Sequence, residues 1–141
     1  MTIPYRIERI ETRQFALFPD KLNPAETVEV QSSYEFAVSD QVNAIRCRSL
    51  FHYVQTDQLL LVLEMISYFS IAPEGIAAIK KNGYIPVDFL RYMGTIAVGT
   101  ARGIIHAKTE GTTLNAIVLP PINLVDIIKD DLVVSQDASA S

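Results

Sequence analysis

From Pro86 to Lys108 the chain offers one long uninterrupted helical segment, and it comes after every stretch that reads as β-strand. Pro86 suits a first helical turn, because its missing N–H would be unpaired there anyway and its φ is already helical. At 3.6 residues per turn, Val87, Leu90, Gly94, Ala97, Ala101 and Ile104 line one stripe. Phe89, Met93, Ile96 and Gly103 line a neighbouring one. Each interior glycine costs about 1 kcal/mol of helix propensity relative to alanine. Retaining Gly94, Gly99 and Gly103 implies that something approaches the helix backbone closely, either the sheet or another helix. Over 86–108 such a helix would be on the order of 34 Å long, the span of a small domain. Gly94, Ala97, Ala101 and Ile104 are therefore candidate subunit-interface positions.

The segments before it alternate with period two. In 27–38, Val28, Val30, Ser32, Tyr34, Phe36 and Val38 fall on one face and Thr27, Glu29, Gln31, Ser33 and Glu35 on the other. That is a half-buried strand of an antiparallel sheet. In 44–56, Ile45, Cys47, Phe51 and Tyr53 oppose Arg46, Arg48 and His52. Residues 59–71 are apolar on both faces, which requires cover on both sides. The first strand, 3–18, begins with alternating Ile3, Tyr5 and Ile7, and Phe15 and Leu17 keep the same phase. Ile10 breaks it and predicts a bulge nearby. Pro19 to Pro24 is a loop, and Thr56-Asp57-Gln58 a hairpin turn. Pro73-Glu74 opens a short helix that Asn82-Gly83 stops. Past the long helix, Leu114 to Leu119 is extended, and Asn123 caps a last helix with Leu124, Ile127, Ile128 and Leu132 on its apolar face. The expectation is an α+β domain over 1–134: a four-stranded antiparallel sheet, a long helix and a short C-terminal helix. Residues 135–141 are read as a disordered polar tail.

Composition narrows the function classes. The chain has 141 residues, 49% of them hydrophobic, with net charge −4. A domain this small cannot bury all that apolar surface, so a subunit interface or an apolar partner must take the excess. The negative balance and the lack of a basic run beyond Lys80-Lys81 argue against nucleic acid. Residues 89–107 are the one candidate membrane span, but Arg91 and Arg102 interrupt them, so a transmembrane helix is rejected. No secretory leader is legible at the N-terminus, and with a single cysteine, Cys47, the reading is a cytoplasmic protein.

Catalytic chemistry finds no foothold. His52 and His106 stand 54 positions apart without a third ligand at metal spacing. Gly94-Thr95 and Gly99-Thr100 lack the context of a phosphate loop. Glu74 and Asp88 read as acids in helix first turns, and Glu26, Glu29, Glu35 and Asp40 as a solvated face. The reading is a non-enzyme with no cofactor and no metal.

Several local patterns resemble the SecB protein-export chaperone family. They are Tyr5-Arg-Ile-Glu-Arg-Ile-Glu-Thr-Arg13 for its opening strand and Tyr68-Phe-Ser-Ile71 before Pro73-Glu74 for the end of strand four. Ile85-Pro-Val-Asp-Phe-Leu-Arg91 matches the start of its long helix, and Ala101-Arg-Gly103 the end. Leu114-Asn115 and Leu119-Pro-Pro-Ile-Asn-Leu124 match the return and last segments. Together they span residues 3 to about 132. Two departures stand out. The spacing from Arg102-Gly103 to Leu114-Asn115 is long for the export chaperones, and the tail after Leu132 has no basic residue.

The resemblance implies an ATP-independent holdase for unfolded or precursor polypeptides. It implies a homotetramer, a dimer of dimers with the long helices between dimers. Clients would lie in apolar grooves between the sheet edge, the first loop and the last helix, with Phe18, Leu22, Phe69, Ile122 and Leu124 as groove residues. Docking of a C-terminal tail on the translocase motor SecA is also implied, and the non-basic tail counts against it here. The family includes chaperones dedicated to antitoxins, an open alternative. A hot-dog acyl-thioester hydrolase also wraps a sheet around a long helix, but there the helix usually sits between early strands.

Overall fold

A computed structural model describes residues 3–134. The tail expected at 135–141 lies outside the described residues. Four antiparallel strands come first: β1 (Tyr5–Leu17), β2 (Glu29–Val38), β3 (Ala44–Gln55) and β4 (Gln58–Ile71). They form one sheet in the order β1-β4-β3-β2, so β1 and β2 are its edges. Helix α1 (Pro73–Asn82) follows, and Gly83, at φ 80°, ends it in the left-handed conformation. A two-residue strand β5 (Tyr84–Ile85) leads into α2 (Val87–Thr109) and pairs with β6 (Leu132–Val133).

The broken alternation of β1 has a structural cause. The register against β4 slips between Ile7 and Arg9 and again between Thr12 and Gln14. Ile7 pairs with Phe69, Ile10 with Ser67, Thr12 with Met65 and Phe15 with Leu63. The first extra residue returns Ile10 to the face that Ile7 occupies, and the second restores the phase of Phe15.

α2 covers the inner face of the sheet. Its first turns meet Tyr5, whose ring stands edge-on to Phe89 at 5.5 Å and to Tyr92 at 5.8 Å. Its last turn brings the Lys108 ammonium 5.3 Å from the Phe15 ring. The helix therefore lies lengthwise along the sheet. Beneath it are Ile45, Cys47, Phe51, Tyr53, Leu61, Leu63, Met65 and Phe69, all essentially inaccessible. The hydroxyls of Ser49 and Ser67 are buried there without a partner among the described residues. Burial pushes the Cys47 thiol up to about 12, which keeps it protonated and inert.

The apolar second face of β4 is covered differently. Val62 and Ile66 are buried but stand outside the main core. On this outer face Arg48 pairs with Glu64 at 2.8 Å and Arg13 with Glu11 at 2.8 Å, and the Arg9 guanidinium lies over the Tyr68 ring. Hydrogen bonds from Arg48 and Arg13 hold Glu64 and Glu11 below the ordinary carboxylate range. The long charged side chains shield the aliphatic ones beside them.

Two expectations are corrected. Among the described residues no C-terminal helix forms: residues 123–128 make a single turn, closed by Ile127 N to Leu124 O at 3.1 Å and Ile128 N to Leu124 O at 2.8 Å. Asn123 does cap it, accepting from Val125 N at 3.2 Å. Beyond it, Arg91 donates to the carbonyls that a continuing helix would offer to Lys129 and Leu132, through Nη2 to Val125 O at 3.5 Å and through Nε to Ile128 O at 2.8 Å. Leu132, expected on that helix, belongs to β6 instead. The stripes of α2 are also redistributed. Its buried side is Leu90, Met93, Gly94, Ala97, Val98, Ala101, Ile105 and Thr109, whereas Ile104 is half-buried.

Candidate functional site: the groove along the long helix

After α2 the chain turns at Thr109–Ala116 and runs back along the helix, antiparallel to it. The contacts march in order. Arg102 Nε donates to Leu119 O at 2.7 Å and its Nη2 to Pro120 O at 3.0 Å. The Gly94 position faces the Leu124 and Ile128 side chains. Arg91 Nε donates to Ile128 O. Val87 N donates to Asp131 Oδ1 at 2.7 Å, which satisfies one of the orphan donors of the helix start. Arg91 and Arg102 are eleven positions apart, three helical turns, so they project from the same side. The two charges that argue against a membrane span thus hold the return segment on its helix. Pro120 and Pro121 keep that segment extended, and its carbonyls are left for the guanidinium groups to bind.

The arrangement leaves an open groove of about 570 Å³, lined by Thr95, Val98 and Arg102 of α2 and by Val118 to Ile122 and Leu124 of the return segment. Most of the lining is apolar. Val118 is 63% exposed, a large value for a branched aliphatic residue. The volume falls in the usual range of ligand sites, and the groove is open to solvent rather than enclosed.

Of the expected groove residues, Ile122 and Leu124 stand together in this wall. Phe18 and Leu22 lie elsewhere, on the loop between β1 and β2. That loop is anchored by Gln55, which is 2% exposed. Its Oε1 accepts from Asn23 N at 2.9 Å, and its Nε2 donates to Asn23 O at 2.8 Å and Glu26 O at 3.0 Å. Phe18 is exposed under the Lys21 ammonium, and Leu22 packs on the core edge. Phe69 is placed in the core: it is 1% exposed and stacked edge-on against Tyr5 at 5.8 Å, so no surface groove reaches it. Val98, Arg102 and Val118 were not anticipated. Their signal was the pairing of a helix arginine with a proline-rich return, which hydropathy alone does not reveal.

The interface candidates divide too. Ala97 and Ala101 are at 0% exposure within a single subunit, and Gly94 is buried under Leu124 and Ile128. These three face their own subunit, and a partner helix cannot reach them. Of the four, Ile104 alone keeps part of its surface open. The open side of α2 carries Tyr92, Gly99 and Gly103 instead. A side chain at either glycine would meet nothing within 4 Å. Ile7 and Ile10 of β1 are also exposed, on the sheet face that α2 covers.

The other candidates stay apart. His106 is exposed, 3.8 Å from Glu110, and His52 lies on β3. Asp88 pairs with Arg91 at 3.4 Å. Among the described residues no group of three His, Cys, Asp or Glu side chains could hold a metal ion, and no helix is long and apolar enough to cross a membrane.

The site is thus an open, mostly apolar groove beside one long helix packed lengthwise on a four-stranded antiparallel sheet. No protein-family model matches the sequence, and no curated protein does. Among solved structures, the chain is similar to a SecB-like chaperone from Mycobacterium tuberculosis, determined in complex with a peptide from an antitoxin. The TM-score is 0.50 at 17% identity, over 84% of this chain and 90% of that one. A protein of unknown function from Streptococcus agalactiae aligns over 87% of this chain and 99% of its own, with a TM-score of 0.42 at 9% identity. The chain has the SecB-like fold.

Proposed function

We propose that this protein is an ATP-independent holdase that keeps unfolded or precursor polypeptides from aggregating. The observation that carries the reading is the open apolar groove between α2 and the segment 118–124. The solved SecB-like neighbour, which holds a peptide, supports it. Clients would bind through weak apolar contacts at the groove and at Phe18 and Leu22, and several such contacts along one chain raise the total affinity. The unpaired strand edges add main-chain donors and acceptors that an extended client can use.

Work in the cytoplasm, and delivery of precursors for export, is the role that the sequence resemblance implies. The antitoxin peptide in the neighbour favours a second reading, a chaperone dedicated to one antitoxin. A single high-affinity client among many weak ones would identify that role.

We also propose assembly into a homotetramer through the open side of α2, with Tyr92, Gly99 and Gly103 beside Ile7 and Ile10. Glycines with free space above them permit a second backbone to come close.

The test is aggregation of a chemically unfolded client without ATP. Stoichiometric protein should slow it, and Val118→Asp and Ile122→Asp should lose that effect while keeping the native fold. Unchanged aggregation with the wild-type protein would sink the holdase reading.

A further inference from the structure

Arg102 is the one charged residue in the groove lining. Its Nε and Nη2 are engaged by the carbonyls of Leu119 and Pro120, which fix the guanidinium in place. No carboxylate pairs with it among the described residues; Arg46, away from the groove, shares this, whereas Arg6, Arg9, Arg13, Arg48 and Arg91 each have an acidic partner. The remaining members of the wall are aliphatic residues, prolines and Thr95. Thr95 spends its hydroxyl hydrogen on Arg91 O at 2.9 Å, so it offers a client only acceptor capacity. The groove thus presents one immobile, unneutralised positive charge set in an apolar wall.

We propose that the groove selects extended apolar segments that carry a carboxylate, and that Arg102 is the residue that sets this preference. A client Asp or Glu flanked by aliphatic residues would place its side chain at the guanidinium and its neighbours on Val98, Val118 and Ile122. The pair is charge-assisted and lies beside apolar surface, where screening by water is weaker than on an open face. The guanidinium is already oriented, so little side-chain freedom is lost when the carboxylate arrives. A client lysine at the same point meets like charge and has no acid to turn to. This selectivity rests on the holdase reading of the same groove, since it concerns which segments that groove accepts.

The probes are three fluorescent peptides of leucine, valine and serine, identical except for a central Glu, Gln or Lys. The wild-type protein should bind the Glu peptide about threefold to tenfold more tightly than the Lys peptide, with Gln between, the size expected for one partly exposed charge contact. The difference should shrink at high salt. Arg102→Gln keeps a donor for the return segment and removes the charge, and it should erase the discrimination. Arg102→Glu should reverse it, with circular dichroism and thermal midpoint confirming that each variant folds. Equal binding of all three peptides by the wild-type protein overturns the selectivity and leaves the holdase reading standing. Binding of none overturns both. Discrimination that persists in Arg102→Gln assigns the preference to another residue and overturns the role given to Arg102.

Discussion

The two sides of α2 are built from the same small residues and do opposite things. On the buried side, Gly94, Ala97 and Ala101 let the helix sit on its own sheet and let Leu124 and Ile128 close over it. On the open side, a Cβ added at Gly99 or Gly103 would meet nothing within 4 Å. A small residue in a helix therefore says that the backbone is available for approach. It does not say which surface approaches. Helical period supplies the phase of a stripe only when the stripe is marked by large apolar residues on one side and polar ones on the other, and this helix is apolar or small nearly all round.

The largest effect that separates the two sides is overpacking. Ala97→Leu and Ala101→Leu insert methylenes into a filled layer and should cost about 1–3 kcal/mol of subunit stability. Chemical denaturation measures this, and the loss should appear in the subunit itself whatever the oligomeric state. Full stability with altered assembly would instead place these residues on an outer face.

The next contrast uses one substitution at two sites. Gly99→Ala should raise the stability of an isolated subunit by about 1 kcal/mol, the difference in helix propensity. At Gly94 the same change gives that gain too, but the new Cβ would stand 2.9 Å from a Leu124 methyl and 3.0 Å from an Ile128 methyl. The gain there should be largely cancelled by displacement of the groove segment. If the open side is the assembly face, Gly99→Ala should also weaken self-association in sedimentation. Equal gains at both sites, with unchanged assembly, would remove the distinction between the two sides.

A smaller effect reads the buried side through pH. Cys47 and Tyr53 are each pushed up by burial to about 12, from ordinary values of 9.0 and 10.0, and the Arg102 charge offsets the Tyr53 shift in part. In the unfolded chain these groups lose their protons first, so the folded state binds more protons between those values and stability falls as pH rises. It is fully present below pH 9 and declines toward 12. Cys47→Ala should remove the earliest part of that decline in thermal midpoints taken against pH. An unchanged curve would show that the thiol is not sequestered.

Much of the architecture was legible from residue order. The alternation of 27–38 and 44–56 and the punctuation by Pro73, Gly83 and Pro86 place every main strand and both helices within a residue or two of their observed ends. Ile10 announced the irregularity of β1, though two slips rather than one were needed to reconcile it with Phe15. The C-terminal segment was misread for a physical reason. Asn123, Leu124, Ile127 and Ile128 have the caps and period of a helix, but Arg91 donates to Val125 O and Ile128 O, which a helix would offer to Lys129 and Leu132, and Leu132 pairs with Ile85 instead. Such competition between a distant side chain and the local ladder leaves no trace in local pattern. The groove was half legible for the same reason. Ile122 and Leu124 follow from their place after the prolines, whereas Val98 and Arg102 belong to the groove only because the return segment is clamped beside them. Phe69 looked like a site residue at the end of an apolar strand and proved to be ordinary core.

The central claim is that extended polypeptide lies between α2 and residues 118–124. A photo-crosslinking residue placed at Val118, which is exposed and makes no hydrogen bond through its side chain, tests it directly. Irradiation with an unfolded client should give a covalent adduct. The same residue placed at Lys80, on the exposed flank of α1, should give little or none. Adducts at Lys80 equal to those at Val118, or no adduct at Val118, would contradict the account.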